Sequence, residues 1–158
     1  MKIRSLFSPT AYEQKMLGWL ACRLRPYLAR THLIWGNPER ISIGRNVMLV
    51  DTLLNCRSGR ITIEDDVFFG HGVMLLTGKH DMTIRGIGRH AAVPDAGHDI
   101  IIRRGAWIAS GAIVIGPCEI GEHAVVGAGA VVTGKVPAST LYAGNPAGAI
   151  RKIDLADG

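Results

Sequence analysis

Residues 102–132 read IRRGAWIASGAIVIGPCEIGEHAVVGAGAVV, and an aliphatic residue recurs at every sixth position. These aliphatic residues are Ile102, Ile108, Val114, Ile120, Val126 and Val132. Four places after each comes a small or modest side chain: Ala106, Ala112, Cys118, Ala124, Ala130 and Val136. A period of six fits neither the 3.6-residue period of an α-helix nor the two-residue alternation of an ordinary strand. The stretch therefore predicts short strands, one per six residues, joined by turns.

The repeat also predicts how these strands are arranged. Three short strands make one triangular coil, and stacked coils pair through parallel ladders about 4.8 Å apart. The same phase appears upstream, at residues 43–47 and 63–67. One aliphatic side chain per strand then points inward, which fits a chain with 47% hydrophobic but only 6% aromatic residues. The predicted fold class is all-β, a parallel β-helix of hexapeptide repeats.

The first 35 residues lie outside the repeat, and we expect them to form an N-terminal helical cap. Thr10 is suited to begin a helix, since Glu13 three residues later completes a capping box. Apolar residues follow at helical spacing: Met16, Leu17, Leu20, Leu24 and Leu28. The helix over residues 10–30 is expected to break or kink at Pro26. Residues 36–153 then form the β-helix domain, and residues 154–158 a short tail.

Positive charge is concentrated in this N-terminal part. The net charge is +5, and residues 1–30 carry six basic residues against Glu13 alone. Because the remaining charges cancel, no basic face runs along the repeat domain, and nucleic acid is not an expected partner. For the basic side of the helix two alternatives stay open: contact with a membrane surface or an anionic substrate, or a solvated helix face.

Cysteine content and hydropathy bear on where the protein works. Cys22, Cys56 and Cys118 are scattered and lack CxxC spacing, which argues against a disulfide framework or a zinc site. No apolar run reaches membrane-spanning length, and residues 1–16 are unlike a signal peptide. We therefore expect a cytoplasmic protein.

One segment interrupts the repeat. The six-residue pattern stops after Leu76 and resumes near Ile100, so residues 77–99 are predicted to leave the β-helix as a loop excursion. Loops of this length in compact domains usually carry function. This one is rich in polar and titratable side chains: Lys79, His80, Asp81, Arg85, Arg89, His90, Asp95 and His98.

Five stretches together carry a resemblance to a known family. They are ITIEDDV at 61–67, TGKHD at 77–81, IIIRRGAWIAS at 100–110, VVGAGAVVT at 125–133 and YAGNPAGAIRKI at 142–153. In these stretches the chain resembles the hexapeptide-repeat acyltransferases, and within them the maltose, galactoside and nodulation-factor O-acetyltransferase branch. The resemblance implies a left-handed β-helix that forms a homotrimer, with acetyl-CoA in the groove between neighbouring subunits.

His80 is the candidate catalytic residue. Acetyl transfer from a thioester to a hydroxyl needs a base for the hydroxyl proton, and histidine is the side chain best suited to this near neutral pH. The resemblance places the family's catalytic base at His80 in TGKHD. Asp81 or a backbone carbonyl could orient the imidazole.

The other histidines are expected to have surface or structural roles: His71, His90, His98 and His123. No histidine pair has the five-residue spacing of the metal-binding relatives of this family, so no metal is expected. Cys118 falls at a small interior position of the repeat, which favours core packing over service as a nucleophile.

The resemblance also assigns residues to the coenzyme. Trp107 occupies the outward sixth place of its repeat, where the family has a tryptophan near the pantetheine and the base. Ser110, Ala128 and Thr133 match positions that line the coenzyme groove, although small residues are also what the corners tolerate. Arg151 and Lys152 match the basic tail that meets the coenzyme phosphates.

The acceptor site departs from the family. Its sugar-contacting Asn and Asp fall on Val50 and Ser58, so specificity for maltose or galactosides does not carry over. A different polar set is the candidate for acceptor binding, with a solvated turn as the equal alternative: Asp51, Asn55, Arg57 and Asp81.

The predicted function is acetyl-CoA-dependent transfer of an acetyl group to a hydroxyl of a sugar or glycan precursor, by direct attack with His80 as general base. The alternative acceptors are an amino sugar or a xenobiotic antibiotic. The non-enzymatic alternative is a hexapeptide domain that serves as a trimerisation scaffold, which would need neither the TGKHD loop nor an outward Trp107.

Overall fold

The computed structural model describes residues 15, 16, 18–20, 23 and 33–156. The chain divides into two compact units, Met1–Thr31 and His32–Gly158. In the first unit the described residues are helical, and the Arg23 guanidinium lies 5.1 Å from the centre of the Trp19 ring. The rest of the helix predicted over 10–30, with its capping box and the kink at Pro26, lies outside the described residues. No helix in the described part of the chain is long and apolar enough to cross a membrane.

The second unit is built almost entirely from short strands. They are β1 Leu33–Trp35, β2 Ile41–Ile43, β3 Leu53–Asn55, β4 Ile61–Ile63, β5 Phe68–Phe69, β6 Met74–Leu76, β7 Ile100–Ile102, β8 Trp107–Ile108, β9 Ile113–Ile120, β10 Val125–Val126, β11 Val131–Val136, β12 Thr140–Gly144 and β13 Ala147–Lys152. A 3-10 helix covers Pro38–Arg40, and a short α-helix, α1, covers Gly88–Ala91.

The strands stack into three faces of parallel ladders. The first face contains β1, β3, β6 and the first halves of β9 and β11. The second contains β2, β4, β7 and the second halves of β9 and β11. The third contains β5, β8, β10 and β12. This is the predicted parallel β-helix, and the all-β fold class is confirmed.

The repeat positions form the core. All six aliphatic residues of the repeat, from Ile102 to Val132, are fully buried. The small residues four places later are buried too. They lie beside corners of the coils, where the backbone leaves little room for a larger side chain. Corner residues such as Gly111 and Gly129 have φ of 70° and 67°, a conformation that glycine adopts without strain.

At both ends of the repeat domain the structure shows strands that the repeat alone does not predict. Residues 33–35 pair in register with Leu53–Asn55, so the β-helix already includes β1, three residues before the expected start at 36. At the other end β12 and β13 form an antiparallel hairpin, the only antiparallel pair among the described strands. This hairpin contains most of the YAGNPAGAIRKI stretch and closes the C-terminal end of the β-helix.

Candidate functional site

The loop excursion leaves the β-helix where the sequence places it. Strand β6 ends at Leu76 and β7 begins at Ile100, so residues 77–99 interrupt the stack at the corner between the first and second faces. In the later coils this corner is a tight bend, at Gly116–Pro117 in β9 and at Thr133–Gly134 in β11. The excursion therefore rises from one corner of one coil, above otherwise regular packing.

Ser58 fastens the base of the excursion to the preceding coil. The hydroxyl of Thr77 accepts a hydrogen bond from Ser58 N at 3.1 Å, and Ser58 Oγ accepts one from Lys79 N at 3.3 Å. The carbonyl of Ser58 accepts a further bond from His98 N at 3.2 Å. Ser58 is fully buried, and its side chain and backbone together hold both ends of the loop.

A cleft of about 520 Å³ opens within the excursion. It is lined by Lys79, His80, Asp81, Met82, Thr83, Ala91, Ala92, Val93, Pro94 and His98. Two segments of the excursion and its returning end build these walls. Among the predicted site residues, His80 and Asp81 line this cleft.

A backbone carbonyl orients His80. Its ring nitrogen Nδ1 lies 2.9 Å from the carbonyl oxygen of Arg89, and this oxygen can only accept a hydrogen bond. The proton of the neutral ring is therefore on Nδ1, and Nε2 has a free lone pair. The Arg89 guanidinium in turn donates to the carbonyls of Ile84 at 2.7 Å and Met82 at 3.2 Å, which holds the loop around His80.

Asp81 does not bond with the imidazole. Its Oδ1 accepts hydrogen bonds from the Thr83 hydroxyl at 2.6 Å and from Thr83 N at 2.8 Å. These two bonds lower the pKa of the Asp81 carboxyl. Of the two orienting groups considered from the sequence, the backbone carbonyl is the one in contact.

His98 is a second imidazole in the cleft, where the sequence analysis expects only a surface or structural role for it. Its Nδ1 is buried and has no hydrogen-bond partner among the described residues. The backbone at His98 packs tightly on the next coil, because a Cβ on Gly116 would overlap the His98 carbonyl. No sequence pattern marks a histidine at the end of a loop as a site residue, so only the three-dimensional structure shows that His98 lines the cleft.

Three candidate acceptor residues lie outside the cleft lining. Asp51 lies at another corner, where its Oδ1 accepts from Gly72 N at 2.8 Å. Asn55 Oδ1 accepts from Arg57 N at 3.1 Å and closes a local turn. Arg57 Nη1 donates to Asp95 Oδ1 at 2.6 Å and so ties the returning part of the excursion to the preceding coil.

The Arg57–Asp95 pair lowers the pKa of the Asp95 carboxyl, chiefly through the hydrogen bond from Arg57. Arg40 approaches the same carboxylate at 3.6 Å and donates to the Asp95 backbone carbonyl at 2.8 Å. These contacts give Arg57 a bracing position beside the cleft.

Trp107 lies on the outer surface of the third face, as expected. Its side chain is 43% exposed, and its ring stacks on Phe68 with centroids 5.7 Å apart and planes inclined by 17°. Phe68 pairs with Trp107 across neighbouring strands, and Met48 bridges to Phe68 on the coil before. The three side chains form an exposed apolar stripe across the coils.

The small coenzyme candidates lie at corners and bends. Ser110 and Ala128 occupy successive turns of the corner between the third and first faces, where the Ser110 carbonyl accepts from Gly129 N at 2.9 Å. Ser110 Oγ accepts from His71 N at 3.1 Å, so the hydroxyl also stabilises the turn below. Thr133 is exposed at the bend of β11.

Arg151 and Lys152 are exposed on β13. Arg151 Nη1 donates to the Lys152 carbonyl at 3.1 Å, and Lys152 Nζ lies 3.4 Å from the Ala138 carbonyl. Within the described residues neither cation has a carboxylate partner. Their charges are thus available to an anionic ligand.

A second concave region lies along the second face and is held by charge pairs. Arg103 donates to Glu64 at 2.8 Å and lies 2.9 Å from Glu119, which Lys135 approaches at 3.7 Å. The hydrogen bonds from Arg103 lower the pKa of both glutamates. We call these four residues the charge ladder.

A cysteine nucleophile and a metal site are the two other kinds of reactive centre that bear on this fold. Burial raises the pKa of the Cys118 thiol to about 12 and Cys118 is almost fully buried, so it remains a core residue. No group of three or more potential metal ligands occurs within the described part of the chain.

Comparison with known proteins relates this architecture to a family. Residues 99–134 match the family described as bacterial transferase hexapeptide (six repeats). These residues include β7 to β10 and part of β11, the regular coils after the excursion. The resemblance to hexapeptide-repeat acetyltransferases indicated by the sequence is confirmed.

Curated relatives carry acetyltransferase names. A provisionally named acetyltransferase of Schizosaccharomyces pombe is 42% identical over 94 residues, which are 60% of this chain and 44% of the relative. The galactoside O-acetyltransferase of Escherichia coli is 31% identical over 121 residues, 75% of this chain and 57% of the relative. The chain spans about half the length of the curated relatives it matches.

Solved structures share the fold. A maltose O-acetyltransferase from Clostridium difficile matches with a TM-score of 0.63 and 24% identity, over 95% of this chain and 80% of that one. A galactoside acetyltransferase in complex with coenzyme A matches with a TM-score of 0.62 and 21% identity, over 94% and 86% of the two chains. At this identity the likeness shows the β-helix fold alone.

Proposed function

We propose that this hexapeptide-repeat protein, related to the galactoside and maltose O-acetyltransferases, transfers an acetyl group from acetyl-CoA to a hydroxyl of a sugar or glycan precursor. The observation that carries the proposal is the contact of His80 Nδ1 with the Arg89 carbonyl oxygen at 2.9 Å, inside a cleft. This contact leaves Nε2 as the nitrogen that can take a proton. An oriented base is what ester formation from a hydroxyl requires.

The reaction moves one proton from the acceptor hydroxyl to His80 and then from His80 to the sulfur of coenzyme A. As the acceptor oxygen attacks the thioester carbonyl carbon, His80 Nε2 takes the hydroxyl proton. When the carbon–sulfur bond breaks, the imidazolium gives this proton to the departing sulfur, and the products are the acetyl ester and coenzyme A. The Arg89 carbonyl accepts from Nδ1–H throughout and stabilises the charged ring between the two steps.

The transfer is proposed to be direct. An acyl-enzyme would need a reactive nucleophile, and burial keeps the Cys118 thiol protonated at neutral pH by raising its pKa to about 12. The excursion supplies a base but no cysteine or serine in the cleft lining. The acceptor hydroxyl itself is therefore the nucleophile.

We place acetyl-CoA on the outer surface of the repeat domain. Exposed Trp107, stacked on Phe68, offers an apolar wall for the pantetheine. Arg151 and Lys152 have charges free for the coenzyme phosphates. Ser110, Ala128 and Thr133 are exposed beside turn amides that could line the groove. Support for this co-substrate comes from relatives whose structures contain acetyl-CoA or coenzyme A.

The assembly proposed is a homotrimer in which the groove lies between neighbouring subunits. The wide separation of the candidate residues supports this arrangement. His80 lies on the excursion above the corner of the first and second faces, whereas Trp107 lies on the third face. Two subunits placed side by side would bring a cleft and an apolar stripe together. We also propose that this homotrimer is located in the cytoplasm.

The test is release of coenzyme A thiol from acetyl-CoA with a panel of acceptors. The panel contains methyl pyranosides, nucleotide sugars, amino sugars, antibiotics and L-serine. We expect turnover on a sugar hydroxyl, and a loss of about 10²–10⁴-fold in kcat/KM for His80→Ala. The melting temperature should not change, because the His80 side chain is exposed.

His90→Ala is the matched control. His90 is another exposed histidine of the excursion, and it does not line the cleft. Full activity of His90→Ala beside an inactive His80→Ala supports the base assignment, whereas an active His80→Ala refutes it. Absence of both turnover and coenzyme A binding by the wild-type protein would favour the scaffold alternative.

A further inference from the structure

Two imidazole rings line one cleft, and the two Nδ1 atoms have opposite surroundings. His80 Nδ1 contacts a carbonyl oxygen at 2.9 Å, whereas His98 Nδ1 is buried with no partner among the described residues. Nε2 of His98 is not among the buried unpaired atoms in the described part of the chain. His98 lines the cleft, and Nε2 is the ring nitrogen of His98 that is not buried.

These surroundings select the tautomer of each neutral ring. A proton on His98 Nδ1 would be a buried N–H donor without an acceptor. The tautomer of the neutral His98 ring that fits these surroundings therefore has its proton on Nε2. His80 has the opposite tautomer, with its proton on Nδ1. The cleft thus presents one proton acceptor, His80 Nε2, and one hydrogen-bond donor, His98 Nε2–H.

We propose that His98 binds the acceptor and donates a hydrogen bond from Nε2–H to a second oxygen of the molecule whose hydroxyl His80 deprotonates. This inference rests on the proposed function, because it assigns the second contact to the same acceptor. The acceptor class that fits is polyhydroxylated. In a pyranose, for example, each carbon next to the one that bears the reacting hydroxyl also carries an oxygen. An acceptor with one isolated hydroxyl leaves the His98 donor unpaired.

The backbone around His98 is held in place, as a positioning group requires. His98 N donates to the buried Ser58 carbonyl, and the close approach of its own carbonyl to the next coil requires glycine at position 116. A donor held in advance costs less ordering entropy when the ligand binds. The unpaired, buried Nδ1 of His98 also lowers the free energy of unfolding. An apolar side chain of similar size at this position would avoid that cost.

The first test determines the tautomers by ¹⁵N NMR of the uniformly labelled protein, with ring signals assigned from His80→Ala and His98→Gln. We expect His98 with an unprotonated Nδ1 and a protonated Nε2, and His80 with the reverse pattern. A proton on His98 Nδ1 would overturn the proposal. This measurement needs no knowledge of the acceptor.

The second test is kinetic and uses the methyl pyranoside that the wild-type protein turns over fastest. His98→Leu should raise the KM for this sugar about tenfold and leave the KM for acetyl-CoA unchanged. The melting temperature should not fall, because the variant removes an unpaired buried nitrogen. His98→Gln retains an amide donor and should recover most of the sugar affinity.

Monodeoxy derivatives of the same pyranoside identify the oxygen. One derivative should have the raised KM with the wild-type protein and no further increase with His98→Leu, because the two changes remove the same bond. Independent effects of every deoxy position and His98→Leu would overturn the His98 contact alone. Turnover that survives His80→Ala, or no turnover of any pyranoside, would overturn the proposed function and this inference together.

Discussion

The excursion cleft and the charge ladder are both concave and of similar size, about 520 Å³ and about 570 Å³. The ladder contains more charge, yet each of its charges is neutralised by a neighbour: Arg103 by Glu64 and Glu119, and Glu119 also by Lys135. In the cleft, both histidines keep a ring nitrogen that has no partner among the residues the structure describes.

This difference separates stabilising polar groups from reactive ones. Perturbed pKa values often mark functional sites, but structural ion-pair networks shift them as well. Here the lowered carboxyl pKa values of Glu64 and Glu119 arise from the ladder's own arginine. The candidate chemistry lies where polar groups are oriented but unpaired. Three variants can break or sharpen this contrast, apart from the histidine tests above.

Ser58→Ala should have the largest effect, because it removes the side-chain bond that holds the first residues of the excursion, although the two backbone bonds of Ser58 remain. Loss of Ser58 Oγ leaves Lys79 N without its acceptor, one residue before His80. Because Lys79 is exposed, loss of this bond should cost about 0.5–1.5 kcal/mol, or about 1–6 °C in melting temperature for a protein of this size. We expect lower thermal stability and lower kcat together, measured by calorimetry and thiol release.

Ser42→Ala is the matched control for Ser58→Ala. Ser42 lies on β2 with an exposed side chain, on the second face and away from the excursion. It should leave both measurements unchanged. Equal behaviour of the two variants would mean that Ser58 does not position the cleft.

Arg57→Met should have an intermediate effect that is confined to function. It removes the 2.6 Å contact with Asp95 that braces the returning part of the excursion. Because exposed ion pairs contribute little to folding, the melting temperature should hardly change. We expect the KM for the acceptor sugar to rise about two- to fivefold.

Arg45→Met removes a comparable exposed pair, Arg45–Asp65 at 2.9 Å, at a corner without a cleft residue. It should leave the KM unchanged. If both arginine variants alter the KM equally, the contrast between the braced cleft and the remaining surface charge fails.

Glu64→Gln should have the smallest effect, and it should depend on pH. The hydrogen bond from Arg103 lowers the folded-state pKa of Glu64 below its ordinary 4.5. The stabilisation from this carboxylate is therefore present above about pH 4.5 and is lost as the pH falls through the folded-state pKa. We expect the variant to melt up to about 3 °C below the wild-type protein at pH 7, and by a smaller amount at pH 3.

Thiol release by Glu64→Gln at pH 7 should equal that of the wild-type protein, since the ladder is structural. A melting difference of the same size at both pH values would show that Glu64 does not act through its charge. A loss of activity would give the ladder a functional role.

Much of the fold was predictable because the hexapeptide repeat is local. Each unit carries its own inward residue, such as Val114 or Val126, and its own turn. The excursion was equally visible, as an interruption between Leu76 and Ile100. The left-handed sense came from the family resemblance alone, because a period of six does not specify a hand.

The site was predictable only in part. The TGKHD motif indicated His80, and the outward repeat position indicated an exposed Trp107. Neither Arg89 as the orienting residue nor His98 as a cleft residue followed from a pattern. Three acceptor candidates were chosen because they lie near Val50 and Ser58 in the sequence, but they are outside the cleft lining: Asp51, Asn55 and Arg57.

The sequence by itself determined the β-helix, its core and the place of the excursion, because periodic burial of aliphatic side chains is encoded unit by unit. Only the tertiary structure decided which polar atoms find partners. The contact of His80 with Arg89 spans nine residues, and that of Ser58 with His98 spans forty, with no periodic relation. Those contacts depend on how a loop folds back over a coil, and they decide which nitrogen is free to react.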